Sequence, residues 1–156
     1  MRSEEMWKTS DVVPTLTYTN LSAAIEWLQR VLGFSERAYA RIVWPGGGMA
    51  WFDVGGSLIN ISTPDLTLPP GSHVTGGRLK VYVGDIDRHF AHARAEGANI
   101  LSEPEDCFWG GRIYRVMDPE NHIWEISQQG RDLSVDRWQL PPGVALGVPT
   151  LKGNSN

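Results

Sequence analysis

The sequence has little cysteine, no long apolar run and no secretory signal. Cys107 is the single cysteine in 156 residues, which excludes an intrachain disulfide and a cysteine-rich zinc site. No apolar stretch approaches the length of about 18 residues that a membrane helix needs. The first residues are polar and lack the apolar centre of a signal peptide. These absences predict a cytoplasmic protein that has no membrane partner.

The sequence also lacks an excess of basic charge. Fourteen Lys and Arg stand against 18 Asp and Glu, for a net charge of −4, and neither sign forms a long run. Proteins that bind nucleic acid need clustered Lys and Arg to neutralise phosphates, so no nucleic-acid partner is expected. What the chain has in plenty is tryptophan, with seven residues. Most would be core, and the excess suggests flat walls of a ligand pocket.

The stretch from Phe108 to Ser127 predicts a β-hairpin. Two segments rich in β-branched and aromatic residues flank the sequence Asp-Pro-Glu-Asn at 118–121, which has the composition of a tight turn. A four-residue turn at these positions would place Met117 opposite His122. Tyr114 would then lie opposite Glu125, on the same face of the sheet.

The pattern of strands and helices repeats. Alternation and helical spacing predict a strand at 12–19, a helix at 21–32 ended by Gly33, and strands at 34–44, 49–54 and 57–63. After a Pro- and Gly-rich linker at 63–77 the same order returns, with strands at 78–83, 99–103, 111–117 and 122–127 and a helix from Asp85 to Gly97. We therefore predict an α+β fold of two β-α-β-β-β modules that form a curled mixed sheet around a cavity. The predicted organisation is one domain at 1–130, with modules at 11–64 and 77–129, and a Pro/Gly-rich tail at 131–156.

This repeat resembles the vicinal oxygen chelate superfamily, which includes glyoxalase I, extradiol dioxygenases and bleomycin-resistance proteins. The resemblance covers residues 11–129. It rests on Trp109-Gly110, on DPENHIWE at 118–125, and on the helix residues Asn20-Leu21, Ile25–Leu28 and Leu32–Phe34. The motifs are most similar to the bleomycin-resistance-like branch, in which homodimers are common. The resemblance therefore implies a homodimer here.

The resemblance also implies where a metal would bind. Metal-dependent members carry one ligand on the first and last strands of each module, and the matching positions here are Val13, Asn60, Arg78 and Glu125. Val13 has no donor atom and Arg78 is a permanent cation. A catalytic metal needs about three protein ligands. We therefore expect neither metal nor cofactor, and we expect Arg78 to pair with Glu125 across the cavity floor.

Strand alternation predicts which side chains line the cavity. The hairpin turn at Gly55-Gly56 puts Trp51 opposite Asn60, and a four-residue turn at 45–48 puts Trp44 opposite Met49 on the same face. The opening strand of the second module contributes alternate residues, Lys80 among them. The predicted ligand-binding residues are Trp44, Trp51, Asn60, Arg78, Tyr82, Trp109, Arg112, Tyr114 and Glu125.

Three functions fit this pattern. The leading hypothesis is a metal-free protein that sequesters an aromatic or amphipathic small molecule, such as an antibiotic, without changing it. The second is a metal-independent isomerase or cyclase that uses Glu125 as general base. The third is a metal-dependent lyase or dioxygenase whose ligands lie elsewhere in the sequence.

Overall fold

The computed structural model describes residues 11–73 and 77–147. The first module contains β1 (Thr15–Thr17), α1 (Leu21–Arg30), β2 (Ser35–Glu36), β3 (Ile42–Trp44), β4 (Gly47–Val54) and β5 (Ser57–Ser62). The second contains β6 (Arg78–Val83), α2 (Ile86–Ala95), β7 (Asn99–Asp106), β8 (Arg112–Met117) and β9 (Ile123–Gln128). Within the described residues, no helix is both long and apolar enough to cross a membrane.

Both helices begin at the predicted caps, and α1 ends at Arg30, two residues before its predicted end. The side chain of Asn20 accepts a hydrogen bond from the backbone N–H of Ala23 at 3.0 Å, and Asp85 caps α2 in the same way through Arg88. Gly33 follows α1 with φ +73°, a conformation that glycine adopts without strain. These caps fix where each helix enters and leaves the layer above its sheet.

Each module builds its own mixed sheet. The first sheet has the order β1-β5-β4-β2, with β3 also on β4, and the second has the order β6-β9-β8-β7. In both sheets the module's first strand runs parallel to its last strand, β1 to β5 and β6 to β9. The repeated β-α-β-β-β order is therefore confirmed, as two mixed sheets.

One hydrophobic core joins the modules. Trp27 and Leu28 of α1 pack in the same buried cluster as Phe52 of the first sheet and Trp124 of the second. Phe34 lies edge-on to Trp124, with ring centroids 5.5 Å apart. Both sheets thus turn one face to this shared core. We call the opposite faces the outer faces of the first and second sheets.

The predicted strand at 34–44 is wrong in its middle. The chain forms the short strand β2, a 3-10 turn at Ala38–Ala40, and then β3. The turn after β3 has two residues, Pro45 and Gly46, so Trp44 lies opposite Gly47 and Met49 lies opposite Ile42. The register differs from the predicted one by two residues, which keeps Trp44 on the predicted face.

The hairpin turn at 118–122 also differs from the prediction, by one residue. Asp118 pairs with His122 through their backbones, and the loop contains Pro119, Glu120 and Asn121. Asn121 has φ +71°, which closes a three-residue loop. Arg115, not Tyr114, therefore lies opposite Glu125. Because strand side chains alternate between faces, this shift moves every predicted β8 residue to the other face.

The same hairpin locks the two modules together. The buried Asp118 carboxylate accepts hydrogen bonds from the Tyr18 hydroxyl at 2.5 Å and from the Trp124 indole at 3.1 Å. Glu120 accepts hydrogen bonds from the backbone N–H groups of Thr19 and Asn20 at the start of α1. The second module's turn thereby holds the two residues that precede the first module's helix.

Candidate functional site

A buried carboxylate flanked by two cations marks the outer face of the second sheet. Glu125 on β9 is 7% exposed. Its Oε2 accepts a hydrogen bond from Arg115 Nε at 2.9 Å, and its Oε1 lies 3.5 Å from Lys80 Nζ. Lys80 is the register partner of Glu125 on β6, and Arg115 is its partner on β8. Three adjacent strands thus bring the charges together, and we call them the Lys80–Glu125–Arg115 trio.

The predicted pairing of Arg78 with Glu125 is wrong. Arg78 lies opposite Ile123, two residues before the trio, because β6 runs parallel to β9 in that register. Lys80 occupies the position that Arg78 was expected to take. A cationic partner for Glu125 was correctly expected on β6, but that partner is Lys80, two residues after Arg78.

The residues at the family's metal positions do not fit a metal site. Val13 has no donor atom, Arg78 is cationic, and the Asn60 amide donates to the carbonyl oxygen of Ala50 at 3.2 Å. Glu125 is engaged by two cations. Across residues 11–73 and 77–147, no group of three or more His, Cys, Asp or Glu side chains is placed to hold an ion.

Aromatic and hydroxyl groups surround the trio. Lys80 Nζ lies 5.7 Å from the ring centroid of Trp109, within cation–π range. Tyr82, two residues along β6 and nearly half exposed, donates a hydrogen bond to Asp132 at 3.2 Å. Ser127 on β9 is 3% exposed, and its hydroxyl has no hydrogen-bond partner among the described residues. This face therefore combines charge, flat rings and an unused hydroxyl.

Arg112 and Tyr114 do not lie on this face, and their predicted place in the cavity is wrong. Tyr114 is fully buried in the core, where its hydroxyl lies 2.6 Å from His89 Nδ1 and its ring packs edge-on against Phe90. Burial raises the pKa of the Tyr114 hydroxyl. Arg112 pairs with Asp87 at 3.1 Å. Both follow from the one-residue shift in the hairpin.

The outer face of the first sheet holds the other predicted residues. Trp51 lies opposite Asn60, as predicted, and both alternate with core residues of β4 and β5. Trp44 on β3 is 39% exposed. Trp51 is partly buried and Asn60 is buried. This face therefore offers two indole rings beside an amide.

Among the described residues, the two outer faces lie on separate sheets. Each belongs to its own sheet, and both sheets turn the opposite face to the common core. A cleft of about 380 Å³ lies between the β4–β5 turn and β6, and its mostly apolar lining includes the polar side chains of Ser57, Lys80, Tyr82 and Gln129. Of the predicted ligand-binding residues, only Tyr82 lines this cleft.

The thiol near this site is not activated. Burial and, after it, the charge of Glu105 raise the pKa of Cys107, although Arg115 and Lys80 act in the opposite direction. The thiol therefore remains protonated at neutral pH.

Comparison with known proteins now identifies the family. The model of the Glyoxalase/Bleomycin resistance protein/Dioxygenase superfamily matches residues 12–126. The chain belongs to this superfamily. The match covers both modules and ends within β9, before the C-terminal segment.

Solved structures and a sequence relative are similar to this chain over most of its length. This protein is 34% identical to TioX from Micromonospora sp. ML1, whose crystal structure matches with a TM-score of 0.67. The match covers 76% of this chain and 98% of the TioX chain. A glyoxalase/bleomycin resistance protein/dioxygenase from Nocardioides shares the fold at 21% identity, with a TM-score of 0.59, over 88% and 95% of the chains. An uncharacterized protein of Mycobacterium tuberculosis (strain ATCC 25618 / H37Rv) is 27% identical over 135 residues, covering 81% of this chain and 78% of that protein.

Sequence reasoning missed two residues of the site. Arg115 was assigned to the wrong face because a four-residue turn was assumed. The signal for the true register is Asn121, which favours the left-handed conformation that ends a three-residue loop. Asp132 lies in the tail, where no periodicity points to a contact with β6.

Proposed function

We propose that the protein binds an aromatic or amphipathic small molecule without a metal and without changing it, as bleomycin-resistance-like members of the superfamily are expected to do. One observation carries the proposal: Glu125, at a family metal position, is bound on both oxygens by Arg115 and Lys80. The other family positions, Val13, Asn60 and Arg78, add no set of ligands that a catalytic metal would need.

The side chains on the outer faces support a flat ligand. Trp44 and Trp51 on the first sheet, and Trp109 and Tyr82 on the second, offer ring surfaces beside a few polar groups. Pockets of this composition suit planar organic molecules. Each aromatic contact would add about 0.5–1.5 kcal/mol beyond the burial of its area.

A homodimer would bring these surfaces together. Within one chain the two outer faces lie on different sheets that share one core, so Trp51 and Lys80 do not meet. In a two-fold symmetric dimer the first sheet of one protomer would face the second sheet of its partner, and two equal clefts would result. This arrangement follows the expectation that the resemblance gives for the family.

Tryptophan fluorescence tests the proposal directly. Titration with a panel of planar compounds, including naphthalene carboxylates, amides and amines, is expected to quench the emission and saturate at one ligand per protomer. Trp51→Leu should weaken that binding, whereas Trp27→Phe, which changes a core residue of α1, serves as the matched control. A flat response across the panel would count against the proposal.

A metal titration provides the second test. Calorimetry with Ni²⁺, Zn²⁺ or Mn²⁺ is expected to give no stoichiometric binding that depends on Glu125. Stoichiometric binding to the wild type that Glu125→Gln abolishes would overturn the metal-free proposal and restore the metal-dependent alternative.

The hypothesis of Glu125 as general base has less support from the geometry. A base needs an oxygen free to accept the substrate's proton. Arg115 already donates a hydrogen bond to Oε2 of Glu125, and the Lys80 ammonium lies 3.5 Å from Oε1, where it competes with a substrate for that oxygen. Turnover of a substrate that Glu125→Gln abolishes, with the fold intact, would favour this enzyme over the binding protein.

A further inference from the structure

The segment 131–139, which we call the C-terminal strap, is fastened to the loop that carries Trp109. The backbone N–H of Leu133 donates to the carbonyl oxygen of Trp109 at 2.6 Å, and that of Gln139 donates to the carbonyl oxygen of Phe108 at 3.3 Å. The Trp138 indole donates to the carbonyl oxygen of Leu133 at 2.9 Å. Hydrogen bonds to the loop therefore hold the strap near both of its ends, and the bond from Trp138 to Leu133 is internal to the strap.

Close packing leaves no space between strap and loop. Gly110 has φ +88°, and a Cβ there would lie 2.2 Å from Leu133 Cγ. Phe108 packs edge-on against both Trp109 and Trp138, with centroids 4.9 Å and 5.7 Å away. Trp109 is thus fixed by a neighbour in its own loop and, through that neighbour, by the strap.

The strap reaches the Lys80–Glu125–Arg115 trio. Asp132 accepts the hydrogen bond from Tyr82 on the outer face of the second sheet. The strap holds Trp109, whose ring lies over Lys80. Ser127 is buried on this same face with an unpartnered hydroxyl. The strap and its loop therefore form a wall beside one buried hydroxyl and two cations.

The trio retains unused positive charge. Glu125 carries one negative charge and binds two cations, Lys80 and Arg115, whose side chains are 43% and 35% exposed. Arg115 uses its Nε on Glu125, and its terminal nitrogens have no partner among the described residues. Asp132 accepts a hydrogen bond from the neutral Tyr82 hydroxyl and keeps its own negative charge, so the site is defined by its free donors and not by a net charge. An acceptor group on a ligand would therefore find donors here.

We propose that the C-terminal strap positions Trp109 as an aromatic wall of the ligand site, and that this wall selects a planar aromatic compound bearing a carboxylate or similar acceptor for Lys80 and Arg115. The inference rests on the proposed small-molecule binding. The strap lies beyond residue 126, where the superfamily match ends. It therefore adds to the site a support for Trp109 that the matched region does not contain.

The test compares two strap variants in the full-length protein. Trp138→Ala removes the ring on Phe108 and the bond to Leu133, whereas Val135→Ala trims an exposed side chain of the same strap and serves as the control. The first readout is the indole N–H resonance of Trp109, assigned with Trp109→Phe. The second is the affinity for 1-naphthoate, measured beside 1-naphthylmethylamine as the probe of opposite charge.

We expect Trp138→Ala to shift or broaden the Trp109 resonance and to weaken 1-naphthoate binding about tenfold, the loss of roughly one aromatic contact. Val135→Ala should change neither, and wild type should prefer the naphthoate. An unmoved Trp109 resonance, unchanged affinity despite a moved resonance, or preference for the amine would each overturn the inference. If the wild-type protein binds no compound of the planar panel, the proposed function is wrong, and so is the role of Trp109 in ligand binding. The Trp109 resonance of Trp138→Ala still shows in that case whether the strap positions Trp109.

Discussion

Glu125 illustrates how a residue can be predicted correctly while its partners are not. Its place on the outer face was expected from strand alternation, and the structure confirms that face. Its predicted partner, Arg78, depended on an alignment between modules, and Lys80 stands in that place instead. The alternation of polar and apolar residues determines which face of a strand a side chain lies on. A contact between two side chains also requires the exact register of the two strands, which the alternation does not determine.

Replacing Glu125 should destabilise the fold. Glu125→Gln removes the charge that two cations share, and we expect a loss of about 1–2 kcal/mol in the free energy of unfolding, because both cations keep partial access to water. Urea denaturation monitored by circular dichroism gives the value. Glu103→Gln, at an exposed carboxylate 3.8 Å from Arg94, should leave the midpoint unchanged. Equal midpoints for the two variants would contradict the role assigned to the trio.

Asp118 predicts how stability falls in acid. Burial alone would raise its pKa, but hydrogen bonds from His122, Tyr18 and Trp124 outweigh burial and hold the pKa below its usual value. Because the folded state favours the ionised form, the stabilisation is present above the unfolded pKa of about 3.9 and is lost as the pH falls through the lower folded value.

Asp118→Asn should therefore lower stability at neutral pH by about 2–4 kcal/mol and flatten the decline in acid. Thermal unfolding measured from pH 7 to pH 2 gives both quantities. Asp136→Asn, at an exposed position of the strap, is the control and should keep the wild-type profile. If the stability of Asp118→Asn fell between pH 7 and pH 2 as steeply as that of the wild type, other carboxylates would determine acid unfolding.

At the scale of elements, the helices and most strands could be predicted because their signals are local. Caps such as Asn20 and Asp85 and the spacing of apolar residues are read directly from the sequence. The loop of the hairpin at 118–122 was predicted one residue too long, because Asp-Pro-Glu-Asn fits both a four-residue and a three-residue loop. The broken strand at 34–44 was missed because Ala38–Ala40 contains no proline or glycine that would signal the 3-10 turn.

The conformation of Asn121 gives a prediction for that turn. Its φ of +71° lies in a region that costs most side chains about 1–2 kcal/mol. Asn121→Val should lower the free energy of unfolding by about that amount, whereas Asn121→Gly should keep or slightly raise it. Chemical denaturation compares the three proteins. If valine were tolerated as well as glycine, the hairpin would have to adopt the other turn in solution.

At the scale of the whole molecule, the repeat made the architecture predictable, but the cavity was not. Alternation identifies the face that each sheet turns away from its helix, and it contains no information on how two sheets face each other. Trp51 and Lys80 were therefore placed in one cavity, although each lies on its own sheet. Only the relation between whole modules or whole chains decides whether they meet.

Mixing two inactive variants tests the composite cleft. If each site combines the first sheet of one protomer with the second sheet of its partner, Trp51→Arg and Lys80→Glu should each abolish 1-naphthoate binding as pure dimers. Dimers refolded from an equal mixture should recover about a quarter of the sites, because half are mixed and each of those has one intact cleft. Titration of the mixture counts the sites. No recovery, with mixed dimers present, would place the site within one chain.

The hairpin at 118–122 also sets a condition on the order of folding. The Tyr18 hydroxyl and the Asp118 carboxylate are separated by 100 residues in the sequence, and Glu120 completes the start of α1 from a similar distance. During synthesis, the first helix therefore lacks these acceptors until the ribosome has released nearly the whole domain. Contacts of such long range slow folding, so the first module lacks this support until a hairpin late in the chain has been synthesised.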